Sequence, residues 1–295
     1  MREEAVTFIS DGLKLVGVMH IPDDVRPGER RPAMMVLHGF GSNHESSGCS
    51  IPARMLCEWG YVTFRFSFRG CGKSEGEFGR IICMEQVADT SSAVTFLQSR
   101  PEVDPDRIGT MGSSFGAAVS VYAGGVDKRI AAVISQGGWG DGVRKFKGQH
   151  KSPAEWAKFT AMLEEGKRHR EKTGKSLMVP RYDIVPIPEH LRGNLAPGSV
   201  QMFPAETAQS MMDFVADNVV GNIAPRPLLL LHAANDSVTP TEQSIEMFKR
   251  AGQPTDLHLL AEVDHFMFGE KNVRVHSILR DWLNKFFPAK AAVPA

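Results

Sequence analysis

The stretch RIGTMGSSFGAAVS, residues 107–120, places two adjacent serines between glycines. The residues before the serines are typical of a short buried strand, and those after them are typical of a helix of small residues. The template Gly-x-Ser-x-Gly fits with Ser114 at its centre, because Gly112 and Gly116 lie two residues to either side. Centring it on Ser113 would put methionine and phenylalanine where the template requires glycine. Ser114 is therefore predicted to lie in a turn from a strand to a helix.

Such a turn holds its central serine in a strained backbone conformation, with the hydroxyl exposed above the sheet. Glycines on both sides let the strand and the helix approach without collisions of Cβ atoms. The alternative is a turn that only connects two elements, because small residues are common in turns. A nucleophilic serine also needs a base, a group that orients the base and donors for the oxyanion, so these decide between the two interpretations.

Apolar runs and turn residues alternate along most of the chain. An Asp11-Gly12 turn between two alternating runs predicts an antiparallel hairpin at the start. Helical patterns then separate further strand-like runs, which are residues 32–39, 61–68, 107–111, 129–136, 227–233 and 256–262. Near-continuous apolar strands separated by helices indicate the α/β class, with a mostly parallel sheet covered on both faces.

The strand rhythm is interrupted once, over residues 139–222. This segment combines a charged stretch with one rich in proline, and strands of the earlier kind resume at residue 227. We therefore expect residues 1–138 and 223–295 to form one α/β core and residues 139–222 to be an insertion in it. Aromatic and methionine side chains in the insertion are candidates for an acyl pocket or for ordinary packing, namely Trp139, Trp156, Phe159, Met162, Tyr182 and Met202.

The composition argues against several classes of function. The 295 residues include 34 Lys plus Arg and 34 Asp plus Glu, so no net charge attracts nucleic acid or an anionic membrane. No signal peptide or membrane span is evident, which predicts a cytoplasmic protein. The cysteines have no metal-binding spacing and are expected to be reduced thiols; they are Cys49, Cys57, Cys71 and Cys83. A neutral small molecule fits this balance best, and a homodimer is left open.

Candidates for the base and its partner follow two neighbouring strands. Asp236 comes three residues after one predicted strand and His265 comes just after the next. In a parallel sheet the loops at the carboxyl ends of strands form the crevice, so both side chains are expected there. Asp264 is the alternative acid, but its side chain diverges from that of its neighbour His265. Among the competing histidines, His232 and His258 lie in predicted strands and His38 starts a glycine loop. Three more lie in the insertion, namely His150, His169 and His190.

The donors for an oxyanion are sought in the main chain. The sequence VLHGFGSN follows a predicted strand and offers the backbone N–H of Phe40, and the second donor would be the N–H of Phe115. The alternative is that this loop is only a glycine turn. A phosphate-binding loop ending at Gly72-Lys73-Ser74 would need glycine at position 67, where Ser67 stands, so no nucleotide site is expected.

Together these motifs resemble the α/β-hydrolase superfamily, through DGLKLVGVMHIP, HGF, RGCGKSEG, GSSFG, NDSVTP and DHF. The sequence is more narrowly similar to bacterial serine carboxylesterases that include feruloyl and cinnamoyl esterases, and to acylaminoacyl-peptidase-like hydrolases. The resemblance implies an eight-stranded, mostly parallel sheet with a cap inserted after the sixth strand. It also implies a triad of Ser114, His265 and Asp236, with oxyanion donors at Phe40 and Phe115 and no metal or organic cofactor.

The function expected on these grounds is hydrolysis of a small carboxylic ester through an acyl-enzyme. An amidase or peptidase could use the same triad, as could an acyltransferase or a hydrolase of C–C bonds. A ligand receptor on the same fold is disfavoured, because every residue of the triad is present. Serine at position 114 also argues against haloalkane dehalogenases and epoxide hydrolases, which resemble this family but have aspartate at that position.

Overall fold

The predicted hairpin and parallel strands join in one eight-stranded sheet. The computed structural model describes residues 1–268 and 272–289. The strands are β1 (Arg2–Ser10), β2 (Leu13–Ile21), β3 (Arg31–Leu37), β4 (Val62–Phe66), β5 (Val103–Ser113), β6 (Ile130–Gln136), β7 (Met178–Pro180), β8 (Met202–Pro204), β9 (Leu228–Ala233) and β10 (Thr255–Leu260). The large sheet has the order β1-β2-β4-β3-β5-β6-β9-β10, and β7 and β8 pair apart from it.

The direction of the strands separates the hairpin from the rest. β2 is antiparallel to both of its neighbours, β1 and β4, whereas β4, β3, β5, β6, β9 and β10 are parallel. The carboxyl ends of β5, β6, β9 and β10 therefore lie at one edge, as the apolar runs predict. The eight-stranded, mostly parallel sheet is confirmed.

Helices cover both faces of the sheet. They are α1 (Ser47–Glu58), α2 (Cys83–Gln98), α3 (Phe115–Val126), α4 (Gly142–Gln149), α5 (Pro153–Thr173), α6 (Arg181–Ile184), α7 (Ala205–Met212), α8 (Glu242–Arg250) and α9 (Val273–Phe286). α1 and α9 pack on one face, in a cluster that includes Leu56, Met111 and Leu279. α2 and α3 pack on the other face, in a cluster that includes Val94 and Val119. The two apolar layers hold the carboxyl edge rigid beneath the loops.

The segment between β6 and β9 contains α4 to α7, several 3₁₀ turns and the short pair β7 and β8. Its longest helix, α5, begins with a capping box of Ser152 and Glu155 and ends at Gly174 in the left-handed conformation. α7 is tied to the start of α2, because the Thr207 hydroxyl accepts a hydrogen bond from the Ile81 N–H at 3.1 Å. The segment is thus anchored on the sheet's α2 side.

The cysteines, the helix lengths and the possible metal ligands bear on three expectations from the sequence. All four cysteines are buried free thiols. Within residues 1–268 and 272–289, no helix combines the length and the apolar character that crossing a bilayer would need. In the same ranges, no three His, Cys, Asp or Glu side chains are grouped so that they could hold a metal ion.

Candidate active site

Ser114 lies on a tight elbow between β5 and α3. Its backbone has φ +56° and ψ −113°, a conformation that non-glycine residues rarely adopt. The Ser114 N–H donates to the Gln136 carbonyl at 2.8 Å, which fixes the elbow to β6. A Cβ on Gly112 would lie 2.1 Å from the Gly116 carbonyl oxygen, and one on Gly116 would lie 2.5 Å from that of Leu37. Both glycines of the motif are therefore required by the backbone packing.

His265 and Asp236 are joined by a hydrogen bond. His265 Nδ1 lies 2.8 Å and 3.0 Å from the two carboxylate oxygens of Asp236. The carboxylate also accepts from the backbone N–H groups of Val238 at 2.8 Å and Thr239 at 2.7 Å. Both side chains are buried, so the pair is shielded from competing water. This arrangement fixes the imidazole ring and directs Nδ1–H to the carboxylate.

The charge of Asp236 is stabilised from two sides. Burial favours the neutral acid, but the nearby His265 and His232 outweigh burial and hold the pKa of Asp236 below its ordinary value. His232 lies inside β9, where its ring nitrogens contact the Ser244 hydroxyl at 2.7 Å and the Thr239 carbonyl at 3.0 Å. Its Nε2 is also 3.4 Å from Asp236. A histidine predicted to be structural therefore supports the candidate acid.

Asp264, the alternative acid, has a different set of contacts. Its carboxylate accepts from the Ser237 N–H at 2.9 Å and from the Ser237 hydroxyl at 2.7 Å. It also accepts from the backbone N–H of His265 at 2.7 Å. Asp264 therefore accepts a hydrogen bond from the main chain of His265, whereas Asp236 is hydrogen-bonded to the imidazole of His265.

Ser114 and His265 line one cavity of about 50 Å³ at the carboxyl edge of the sheet. Gly39 and Phe40, from the loop after β3, lie on the same cavity. A Cβ on Gly39 would stand 3.8 Å from the Ser114 Cβ, so this loop passes directly beside the candidate nucleophile. The cavity brings together side chains from three distant parts of the chain. The predicted roles of Ser114, His265 and Asp236 are compatible with this geometry.

The segment between β6 and β9 supplies apolar side chains to the cavity that the sequence did not indicate. Val185, Ile187 and Leu195 line the cavity, from irregular backbone after α6. The candidates singled out from the sequence lie elsewhere: Phe159, Met162 and Tyr182 line a separate cavity. Met202 is 45% exposed, and Trp139 is buried with its ring 5.7 Å from that of Phe115. None of the six candidates, Trp156 included, lines the cavity of Ser114.

The loop from His38 to Gly41 is held by its own histidine. His38 Nε2 accepts from the Phe68 N–H at 3.1 Å, and Nδ1 lies 2.8 Å from the Gly39 carbonyl. One neutral tautomer satisfies both contacts, and burial lowers the pKa of His38 to about 4. His38 therefore supports the loop, as its position in the sequence suggests.

Arg181 contacts the same loop, and the sequence offered no signal for it. Its guanidinium donates from Nη1 to the Phe40 carbonyl at 2.9 Å and from Nη2 to the Gly41 carbonyl at 3.0 Å. Its Nε donates to the Val200 carbonyl at 2.8 Å. Arg181 is 1% exposed and also lines the cavity beside Ser114. A buried cation of the inserted segment thus contacts the loop that carries the Phe40 amide.

The sequence matches the family described as X-Pro dipeptidyl-peptidase (S15 family) over residues 11–267. The chain belongs to this family. The match covers the elbow, both candidate partners of Ser114 and the inserted segment. Together with the sheet order, it makes the chain a hydrolase of the α/β-hydrolase superfamily.

Individual relatives are similar along most of the chain. An uncharacterized 31.7 kDa protein of Escherichia coli is 25% identical over 266 residues, which are 87% of this chain and 91% of that protein. The thiohydrolase aneE of Aspergillus aculeatus is 24% identical over 284 residues, with 88% and 85% of the two chains covered.

Solved structures show the same fold. The α/β-hydrolase GrgF from Penicillium sp. sh18 superposes with a TM-score of 0.78 at 21% identity, over 97% of this chain and 99% of that one. Est1E from Butyrivibrio proteoclasticus, solved with ferulic acid, has a TM-score of 0.66 at 19% identity, over 95% and 100% of the chains. The predicted likeness to α/β-hydrolases with esterase relatives is confirmed.

Proposed function

We propose that the protein hydrolyses a small carboxylic ester through an acyl-enzyme on Ser114. The observation that carries the proposal is that His265, hydrogen-bonded to Asp236, lines the same cavity as Ser114, a serine on a strained elbow. A serine hydroxyl becomes a nucleophile when a histidine takes its proton, and a carboxylate keeps that histidine in the required tautomer. The names of the relatives, which include a thiohydrolase and an esterase, support acyl chemistry.

In the first half of the reaction, the Ser114 Oγ attacks the ester carbonyl carbon and its proton passes to His265 Nε2. The negative charge of Asp236 stabilises the imidazolium that results. The tetrahedral intermediate then collapses, the acyl C–O bond to the alcohol breaks, and His265 returns the proton to the leaving alcohol. The acyl group remains on Ser114.

In the second half, a water molecule replaces the alcohol. His265 takes a proton from the water as its oxygen attacks the acyl carbon, and the bond to Ser114 Oγ breaks with return of that proton to the serine. The products are the carboxylic acid and the regenerated enzyme. The chemistry proposed here requires no metal or organic cofactor.

The backbone N–H groups of Phe40 and Phe115 are proposed as the oxyanion donors. Phe115 is the first residue of α3, so its N–H has no partner within the helix and points from the positive end of the helix dipole. Phe40 follows Gly39, which passes beside Ser114. The loss of one such donor typically slows catalysis by about 10²–10³.

Residues 139–222 are proposed to act as a cap that selects the acyl group. The support is that Val185, Ile187 and Leu195, which belong to this segment, line the same cavity of about 50 Å³ as Ser114. A small cavity with apolar side chains in its lining favours short acyl groups over long ones. Rates with p-nitrophenyl esters of graded chain length are therefore expected to fall as the acyl chain grows.

The nucleophile is tested by covalent labelling. A fluorophosphonate is expected to modify Ser114, and mass spectrometry of the digested protein locates the adduct. The matched control is Ser113→Ala, which removes the neighbouring hydroxyl and should leave the label on residue 114. Ser114→Ala should abolish labelling and lower kcat by on the order of 10⁶. Labelling at another serine, or near-normal turnover by Ser114→Ala, would reject the assignment.

Peptide hydrolysis is the second candidate, because the matching family is described as an X-Pro dipeptidyl-peptidase. The same triad cleaves amides, and the two reactions differ in the leaving group that the site accepts. Aminoacyl anilides compared with p-nitrophenyl esters separate the candidates. A kcat/KM for an anilide that exceeds that for every ester would favour the peptidase.

A further inference from the structure

Arg181 combines three features that a surface arginine lacks. It is 1% exposed, it lines the cavity of Ser114, and its donors reach three backbone carbonyls. Its guanidinium carbon lies 5.3 Å from the ring centroids of both Phe40 and Phe203. Because its contacts are carbonyls and rings, the charge is not neutralised by a carboxylate in any contact described.

Arg181 donates to the two backbone carbonyls that directly follow the proposed donor, the Phe40 N–H, along the chain. The Phe40 and Gly41 carbonyls belong to the two peptide groups that follow the Phe40 N–H, so holding them restricts the backbone on the C-terminal side of that N–H. Gly41 has φ +53°, and a Cβ there would lie 2.4 Å from the Phe203 ring and 2.8 Å from Arg181 Nη2. The loop is therefore shaped to accept the guanidinium at close range.

Arg181 carries a positive charge beside the cavity at neutral pH. Burial lowers its pKa to about 10, so the side chain remains protonated at neutral pH. A fixed positive charge at a buried position stabilises negative charge that develops nearby. The negative charge in the proposed reaction develops on the carbonyl oxygen of the substrate.

We propose that Arg181, supplied by the inserted segment, is a positioning residue that orients the Phe40 amide toward the oxyanion and stabilises the transition state. The proposal rests on the proposed function. It differs from simple packing, because packing alone would change stability or substrate binding without a specific effect on kcat. It also differs from binding of a substrate carboxylate, which would confine the effect to anionic substrates.

The test compares Arg181→Met, Arg181→Lys and the matched control Arg170→Met with p-nitrophenyl acetate. Arg170 also lies in the inserted segment, but it is more than half exposed and pairs with Glu206 on the outer side. Arg181→Met is expected to lower kcat about 10²-fold with KM changed less than threefold, as misplacement of a donor by ~1 Å would. Lysine keeps the charge but cannot bond to three divergent carbonyls, so Arg181→Lys should recover only part of the loss. Arg170→Met should retain the wild-type kcat.

Two further measurements distinguish a failure of the Arg181 proposal from a failure of the proposed function. Affinity for a trifluoromethyl ketone, which forms a tetrahedral adduct with the serine, should fall with kcat across the variants. The fluorophosphonate should label Ser114 of the wild type, and more slowly in the Arg181 variants.

Folding of each variant is checked by circular dichroism, and Arg181→Lys decides the test if Arg181→Met does not fold. Unchanged kcat in a folded Arg181 variant, or a loss confined to esters that carry a carboxylate, would overturn the proposal while wild-type labelling upholds the triad. A wild type that is neither labelled nor active would instead reject the proposed function.

Discussion

Asp264 ties the loop of His265 to the loop of Asp236 through a single residue, Ser237. Its two carboxylate oxygens accept from the Ser237 N–H and hydroxyl at 2.9 Å and 2.7 Å, while one of them also accepts from the His265 N–H. The candidate base and acid are therefore fixed to each other twice, through their side chains and through this bridge. Asp236 and Asp264 therefore have separable tasks, which mutation can distinguish.

Asp236→Asn is expected to lower kcat by about 10⁴, because the amide no longer stabilises the imidazolium and favours the wrong tautomer of His265. The matched control is Asp264→Asn, whose remaining oxygen can still accept from the Ser237 and His265 N–H groups. Its kcat should stay within about tenfold of wild type. Both are measured by ester hydrolysis under saturating substrate, and equal losses in the two variants would contradict the separation of roles.

Gly116→Ala is expected to destabilise the protein by about 2–3 kcal/mol, because the new Cβ would lie 2.5 Å and 2.6 Å from the Leu37 and His38 carbonyl oxygens. Gly193→Ala is the control, since a Cβ there meets nothing within 4 Å. Its free energy of unfolding should remain within about 0.5 kcal/mol of wild type. Urea unfolding followed by circular dichroism gives both values, and a stable Gly116→Ala variant would show that the elbow can relax.

Lys145 lies 2% exposed between aromatic rings, with its Nζ 3.8 Å from the centroid of Phe146 and 4.9 Å from that of Trp139. Burial lowers the pKa of Lys145 to about 7 from its ordinary 10.5. Between pH 7 and pH 10.5, Lys145 is protonated in the unfolded chain but mostly neutral in the folded protein. The folded protein therefore becomes more stable as the pH rises through this range. Below pH 7 the lysine is charged in both states and the full unfavourable effect of burial remains.

Lys145→Met should therefore be more stable than wild type near pH 6.5. The difference in the free energy of unfolding should shrink by up to about 1.4 kcal/mol for each pH unit between 7 and 8.5. Lys147→Met, at an exposed neighbour, should show the pH dependence of the wild type. Parallel curves for Lys145→Met and wild type in urea titrations at several pH values would rule out this account of Lys145.

The loop after β4 depends on a buried ion pair. Asp89 is fully buried and accepts from the Arg69 N–H, Nε and Nη2, at 2.9, 2.9 and 2.6 Å. Asp89→Asn leaves the guanidinium without its buried counter-charge, and a loss of about 3–5 kcal/mol in the free energy of unfolding is expected. Asp11 also pairs with Arg69 but is 63% exposed, so Asp11→Asn should cost less than about 1 kcal/mol. Chemical denaturation of both variants checks the contrast.

The sheet and the candidate triad could be predicted from sequence because their signals are local. Apolar runs define the parallel strands, and Ser114, Asp236 and His265 each follow such a run within a few residues. Parallel strands then bring their carboxyl ends to one edge, so the topology joins residues that are far apart in the chain. The loop position of His38 could be predicted for the same reason.

The remaining features depend on contacts that leave no local pattern. Arg181 meets Phe40 across 141 positions of sequence, and nothing around it distinguishes it from a surface arginine. The cavity-lining residues Val185 and Leu195 lie in irregular backbone with no periodicity to reveal which way they face. Lys145 lies in a strongly charged stretch that favours exposure, yet its helix packs it against Trp139. Tertiary packing decides these positions.

The contact of Arg181 with the Phe40 loop also bears on how this hydrolase can be re-engineered. Exchanging residues 139–222 with the corresponding segment of a relative would transfer more than a pocket lining, because the graft would also replace the anchor of residues 40 and 41. Chimeras that carry the loop together with its arginine should retain turnover, whereas those that mix the two sources should lose speed whatever substrate they are given. With the roles proposed for residues 139–222 and for Arg181, specificity and rate would be transferred together.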